Sequence, residues 1–283
     1  MAVQTGGGVF ASLPRNTVRE DHKMRRWMAA LALGVMAQAA QALDDPQVML
    51  DDPMKSGMWD YHQVRLLGDP ADILFDDRVR VMAPEVAEDS LNVPLLVDAS
   101  GIDNVKRIVV SADYGPIPHI LTYYPEEAAP KLALRFKIDQ ATAIRASVET
   151  HDGQWFVGST YIDAAGGGCT APAHAYASDD WEEKLGEIHG RLWAASGRAR
   201  VVVDHPMDTG LADGIPVFII QTLDFETDAG ALMARIDLHE PVNEDPAFTL
   251  YFDPGTLPGV LHVKGRDNNG NRIKGVLTEG EMN

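Results

Sequence analysis

From Ile73 onward, short apolar runs alternate with polar positions and are broken at fairly even spacing by glycine, proline and Asx residues. Alternation with a period of two marks strands that bury one face. Arg78 to Met82 alternates and stops at Pro84, and Val93 to Val97 carries Pro94, which suits a strand start or an edge. Arg107 to Ala112, Lys131 to Ile138, Ala143 to Thr150 and Trp155 to Ile162 follow, with a hairpin turn at His151-Asp152-Gly153-Gln154. A second series comprises Arg198 to Val203, Pro216 to Phe225, Leu232 to Leu238, Ala247 to Phe252, Gly259 to Gly265 and Arg272 to Thr278. Asp267-Asn268-Asn269-Gly270 is predicted as the turn between the last two, since Asn-Gly tolerates positive φ. A calcium loop would need downstream ligands that this segment lacks.

Helical periodicity is confined to two places. Trp59, Tyr61, Val64, Leu66 and Leu67 predict a short amphipathic helix within Asp52 to Leu67, whose apolar face also explains Met49, Met54 and Met58 as packing residues. Asp179-Asp180-Trp181-Glu182 has the form of a helix cap, and Trp181, Leu185, Ile188 and Leu192 recur at steps of four, three and four. The expected fold is therefore mainly β, two small β-sandwich domains joined by a Gly-rich arm and a short helix. The expected boundaries are 1–42 for an N-terminal extension and signal, 43–163 for the first sandwich, 164–196 for the arm and linker helix, and 197–283 for the second sandwich.

Composition narrows the class. Of 283 residues, 45% are hydrophobic and 23% charged, ordinary for a folded soluble chain. A net charge of −18 would repel a phosphate backbone, so nucleic acid is an unsuitable partner. Arg25-Arg26, the apolar stretch from Trp27 to Val35 and the small-x-small site Ala40-Gln41-Ala42 together predict a cleavable export signal, with Met24 as its start. That stretch is too short to span a bilayer, so no membrane attachment is expected after cleavage. Cleavage after Ala42 would shed five basic and two acidic residues and take the charge to −21.

The single cysteine, Cys169, ends the run Gly166-Gly167-Gly168 and is followed by Thr170-Ala171-Pro172. Three residues without side chains build no apolar pocket and are costly to order, so a mobile arm with an accessible thiol is expected. No lysine or arginine lies within ten residues, and only His174 is near, so nothing local lowers the thiol pKa. An unassisted thiol suits a carrier that a partner enzyme activates better than a catalytic nucleophile. A thiol–disulfide enzyme would need a resolving cysteine, and the chain has none. The histidines show no close pairing of the zinc-binding kind, and no dinucleotide fingerprint, phosphate loop or nucleophile elbow occurs. Neither a metal nor a cofactor is expected.

Several of these segments resemble the SoxY and SoxZ sulfur carriers joined in one chain. The SoxY-like features are Arg80 to Asp89, Val93-Pro94-Leu95, a strand with Arg135, His151-Asp152-Gly153 and the Gly-Cys arm. The SoxZ-like features are Val203-Asp204-His205-Pro206-Met207-Asp208-Thr209-Gly210 and Asp267-Asn268-Asn269-Gly270. The resemblance implies two immunoglobulin-like sandwiches acting in the periplasm. It implies Cys169 as the covalent attachment site for a sulfur-containing or related small intermediate, with Gly166, Gly167 and Gly168 as its flexible tether. It implies partner enzymes that load and unload it, either sulfur-compound-processing enzymes or a quinoprotein dehydrogenase system. One departure stands out: the family's SoxY ends just after its cysteine, whereas here the arm continues into a second domain and must move as a loop. The competing expectation is a non-catalytic scaffold that docks an exported dehydrogenase.

Overall fold

A computed structural model describes Val48, Met49 and residues 51–279; the predicted export signal and its cleavage site lie outside the described residues. In the first half, the strands are β1 (Val48–Met49), β2 (Ile73–Asp76), β3 (Arg80–Met82), β4 (Val86–Ala87) and β5 (Val93–Asp98). They continue with β6 (Val105–Ala112), β7 (His119–Tyr124), β8 (Lys131–Phe136), β9 (Thr142–Thr150) and β10 (Trp155–Ala164). The second half holds β11 (Ile188–Trp193), β12 (Arg198–Val203), β13 (Ile220–Glu226), β14 (Leu232–Leu238), β15 (Ala247–Tyr251), β16 (Val260–Asp267) and β17 (Arg272–Thr278). The helices are short: α1 (Trp59–His62), continued by a π-helical turn to Leu67, and α2 (Trp181–Lys184).

The predicted mainly-β sandwich architecture is present, and the two halves run into one another. One large sheet has the order β1-β2-β10-β9-β6-β7-β14-β13-β16-β17, with β4 also on β10; the smaller has the order β11-β12-β15-β8-β5-β3. Each sheet crosses from the first half to the second. At one seam, β7 pairs antiparallel with β14, setting Leu121 opposite Leu238 and Tyr123 opposite Ile236. At the other, β8 pairs with β15 through Leu132 and Leu250. Pairing at both seams removes two pairs of free edges, the usual aggregation hazard of open sheets. The inward faces form one hydrophobic core that includes Leu95, Leu134, Tyr123, Val201, Ile236 and Phe248 from both halves.

Central strand β9 is buried on both faces, because residues 52–67 cover the outside of the large sheet there. Trp59, Phe75 and Trp155 pack in that layer around Arg145, which is wholly buried. The Arg145 guanidinium donates to both oxygens of Asp113, at 2.7 Å each, and to Asp52 at 2.8 and 2.9 Å, and lies over the Trp59 ring at 4.4 Å. A buried guanidinium is tolerated here because every face has a carboxylate or an aromatic ring.

The predicted helix through Trp181, Leu185, Ile188 and Leu192 is a correction. Only Trp181–Lys184 is helical; Gly186 takes φ +80, and from Ile188 the chain is strand β11, paired along its length with β12. Residues four apart share a face in a strand as well as in a helix, so Ile188 and Leu192 satisfy both periods. The ladder with β12 satisfies the backbone groups of this segment and decides the outcome.

Candidate functional site: the docked cysteine arm

The arm leaves the end of β10, where Asp163 and Ala164 pair in parallel with Val86 and Ala87. Beyond it the structure departs from the expected free tether. Cys169 is 3% exposed. The Gly168 amide donates to the Ile138 carbonyl at 3.1 Å, and a Cβ on Gly168 would stand 2.1 Å from the Ser90 carbonyl oxygen and 2.5 Å from that of Ile138. Gly166 takes φ +95, and a Cβ there would be 2.2 Å from the Asp139 carbonyl oxygen. Gly167, also at positive φ, faces open space. The missing side chains that promised mobility instead let the arm lie directly on neighbouring backbone. Glycine serves close approach here as much as freedom.

The rest of the enclosure comes from far along the chain. Thr209 donates its hydroxyl to the Cys169 carbonyl at 2.5 Å. Asp208 accepts the Ala173 amide at 3.2 Å on one carboxylate oxygen and the Tyr176 hydroxyl on the other. Glu244 accepts the amides of His174 and Ala175, at 2.8 and 2.5 Å. Beneath the arm, Lys137 is buried and donates to the Met207 carbonyl at 2.5 Å, while its own carbonyl lies 3.9 Å from the Cys169 sulfur.

The loop His205–Thr209 is itself buried and fixed. Met207 adopts φ +51 and donates its amide to His205 Nδ1 at 3.0 Å, while its sulfur accepts the Ile220 amide. That bond places the proton of a neutral His205 on Nε2, which faces Asp267 at 3.6 Å, too far for a hydrogen bond. Asp267 is occupied by the predicted turn, accepting the amides of Asn269 and Asn271.

Burial sets the chemistry of the pocket. It pushes the Cys169 thiol up to about 11, with the Asp139 charge adding to the effect and Lys137 opposing it. Burial lowers the Lys137 ammonium, against the pull of Asp208, Cys169 and Glu244. Burial also lowers His205 to about 4, against Asp267 and with Lys137. A protonated, enclosed thiol is a poor nucleophile.

The sequence therefore located the thiol and its three glycines, and singled out Asp208 and Thr209 within a motif, but placed none of Lys137, Asp208, Thr209, Tyr176 and Glu244 against the arm. The one available signal was the His205–Gly210 motif, whose dense run of distinctive residues marks a structured loop. Elsewhere, Glu187, His189 and Asp204 bring one donor atom each within 4.8 Å of one another at the β11–β12 end, a grouping that the scattered histidines did not announce. It is partly exposed and stands apart from the hydrogen bonds that hold the arm.

The family described as Sulfur oxidation protein SoxY matches residues 63–169, and that described as Sulphur oxidation protein SoxZ matches residues 194–277. The chain carries a SoxY domain followed by a SoxZ domain. The SoxY match ends on Cys169 itself, and the His205–Gly210 loop falls within the SoxZ match. Among curated proteins none matches the sequence. Among solved structures, the sulfur carrier protein SoxY from Chlorobium limicola f thiosulfatophilum is 18% identical over 38% of this chain and 96% of its own, with a TM-score of 0.33, a likeness too loose to build on. With the domains assigned, Thr209 of the SoxZ domain donates to Cys169, the last residue of the SoxY match, and Asp208 and Glu244 of the same domain accept from Ala173 to Tyr176 in the segment between the two matches. No helix among the described residues is long and apolar enough to cross a membrane.

Proposed function

We propose that the protein is a periplasmic carrier that holds a sulfur-containing or related small intermediate covalently on Cys169 and presents it to partner enzymes. The observation that carries this reading is that the SoxY match runs to, and stops at, the chain's one cysteine. The chain itself performs no turnover. Loading requires the arm to leave its dock, because the docked sulfur is enclosed and protonated. Cys169 lies five residues past Ala164, so full extension moves it at most about 17 Å from the end of β10. A two-ended loop of that reach suits an open or shallow partner site. The partners are enzymes that process sulfur compounds or a quinoprotein dehydrogenase system.

A second reading has its own support in the burial of Cys169: a scaffold that docks an exported dehydrogenase and uses no thiol chemistry. Protein isolated without reductant from inducing cultures separates the two. The carrier predicts a labile mass on the Cys169 peptide that dithiothreitol removes, and loss of the pathway phenotype in Cys169→Ser. A bare thiol throughout, with full function in Cys169→Ser, would leave the scaffold.

A further inference from the structure

The arm is held from one side in a way that glycine packing alone does not require. Five hydrogen bonds reach it from the SoxZ domain, received or given within Cys169 to Tyr176. Two carboxylates, Asp208 and Glu244, accept four of them, from the Ala173, His174 and Ala175 amides and the Tyr176 hydroxyl. The fifth, from Thr209, falls on the carbonyl of the cysteine itself. Asp208 and Thr209 are themselves buried, and the loop that carries them is braced by the Lys137 bond to Met207 and the backbone bridge between Asp208 and Phe218. The loop that carries Asp208 and Thr209 is thus braced, while the arm contributes three backbone amides, the Cys169 carbonyl and the Tyr176 hydroxyl.

We propose that Thr209, Asp208 and Glu244 of the SoxZ domain form a latch that closes the arm over Cys169, and that the open arm is the form that reacts with cargo. The proposal rests on Cys169 as the carrier thiol. Its chemical logic follows from the two states. An unpaired thiol in an oxidising compartment is liable to adventitious disulfides, and the closed arm shelters it as a protonated, buried group. Opening breaks hydrogen bonds to charged acceptors, restores solvent to the sulfur and returns it towards an ordinary thiol. A partner that offers donors to Asp208 and Glu244 would compete for the latch and open the arm where the thiol is needed. Because both domains lie in one chain, a single polypeptide closes over its own thiol.

The test is the rate of iodoacetamide alkylation of Cys169 in the full chain at pH 8. Thr209→Val and Glu244→Ala each remove a closing contact and are expected to raise the rate about tenfold, while Thr209→Ser retains the hydroxyl and reacts like the parent. Unchanged rates in the Val and Ala variants, at unchanged urea midpoints, overturn the latch. Should either variant unfold, hydrogen exchange of the unmodified protein decides the matter. Amides of Ala173, His174 and Ala175 are expected to exchange through a local opening well below the protection of the β9 and β12 amides. Protection equal to those strands overturns the latch. The carrier reading fails separately: a bare Cys169 in cells alongside accelerated variants keeps the latch and removes the carrier. An adduct alongside unaccelerated variants does the reverse.

Discussion

Gly168→Ala distinguishes a glycine used for freedom from one used for close approach. In the docked arm the added methyl carbon would stand 2.1 Å from the Ser90 carbonyl oxygen and 2.5 Å from that of Ile138. Both are backbone atoms, and the Ile138 amide is bonded to the same Ser90 carbonyl at 2.8 Å, so neither can retreat alone. Overpacking of this kind costs about 1–3 kcal/mol, which the chain escapes by lifting the arm. The open fraction then rises by roughly 5- to 150-fold, and the thiol it exposes is far more reactive. At pH 8 a thiol held near 11 is about one part in a thousand thiolate, against about one in four for an ordinary thiol near 8.5. Gly167 is the internal comparison, since a Cβ there meets nothing and only its positive φ is strained, at about 1 kcal/mol. Alkylation of Cys169 by iodoacetamide, followed by intact mass, should therefore be fastest in Gly168→Ala and intermediate in Gly167→Ala. The urea midpoint of the sheets should be little changed. Equal rates in the two variants, or no acceleration in Gly168→Ala, would refute the packing argument and return the glycines to the role of simple tether.

Two further outcomes follow from buried charge. Arg145→Met leaves Asp113, which has no exposure of its own, without its bidentate partner, and should cost about 3–5 kcal/mol in urea unfolding; a loss below about 1 kcal/mol would show that the Arg145 network is not a structural tie. His119 is lowered to about 3 by burial, with the stacked His239 adding to it, and His205 to about 4 by burial, against an unfolded value near 6.5. In that window the unfolded chain binds protons that the folded one does not, so stability falls as the pH drops from about 6.5 towards 4. Urea midpoints at pH 7 and 4.5 measure this, and His119→Gln should reduce the difference; equal midpoints for the parent protein would contradict it.

Much of the strand pattern was readable locally. Arg198–Val203, Leu232–Leu238 and Arg272–Thr278 have the bounds that their alternation predicts. The strands that escaped notice are those whose identity depends on neighbours. His119–Tyr124 lies at the seam between the halves and is largely buried on both faces, so it shows no alternation. Ile188–Trp193 carried a spacing that helix and strand share, and only its ladder with Arg198–Val203 decided between them.

The sequence by itself determined that the chain has one thiol, that three glycines precede it, and that strands dominate in two successive series. Those are properties of residue type and short-range spacing. Whether the thiol is offered or withheld was decided by the tertiary structure alone. Thr209, Asp208 and Glu244 meet the arm from 32 to 70 positions away, and Ser90 and Ile138 supply the carbonyls on which Gly168 rests. Burial, the raised thiol pKa and the latch all arise from these distant pairings, and no local pattern records which distant backbone a glycine will touch.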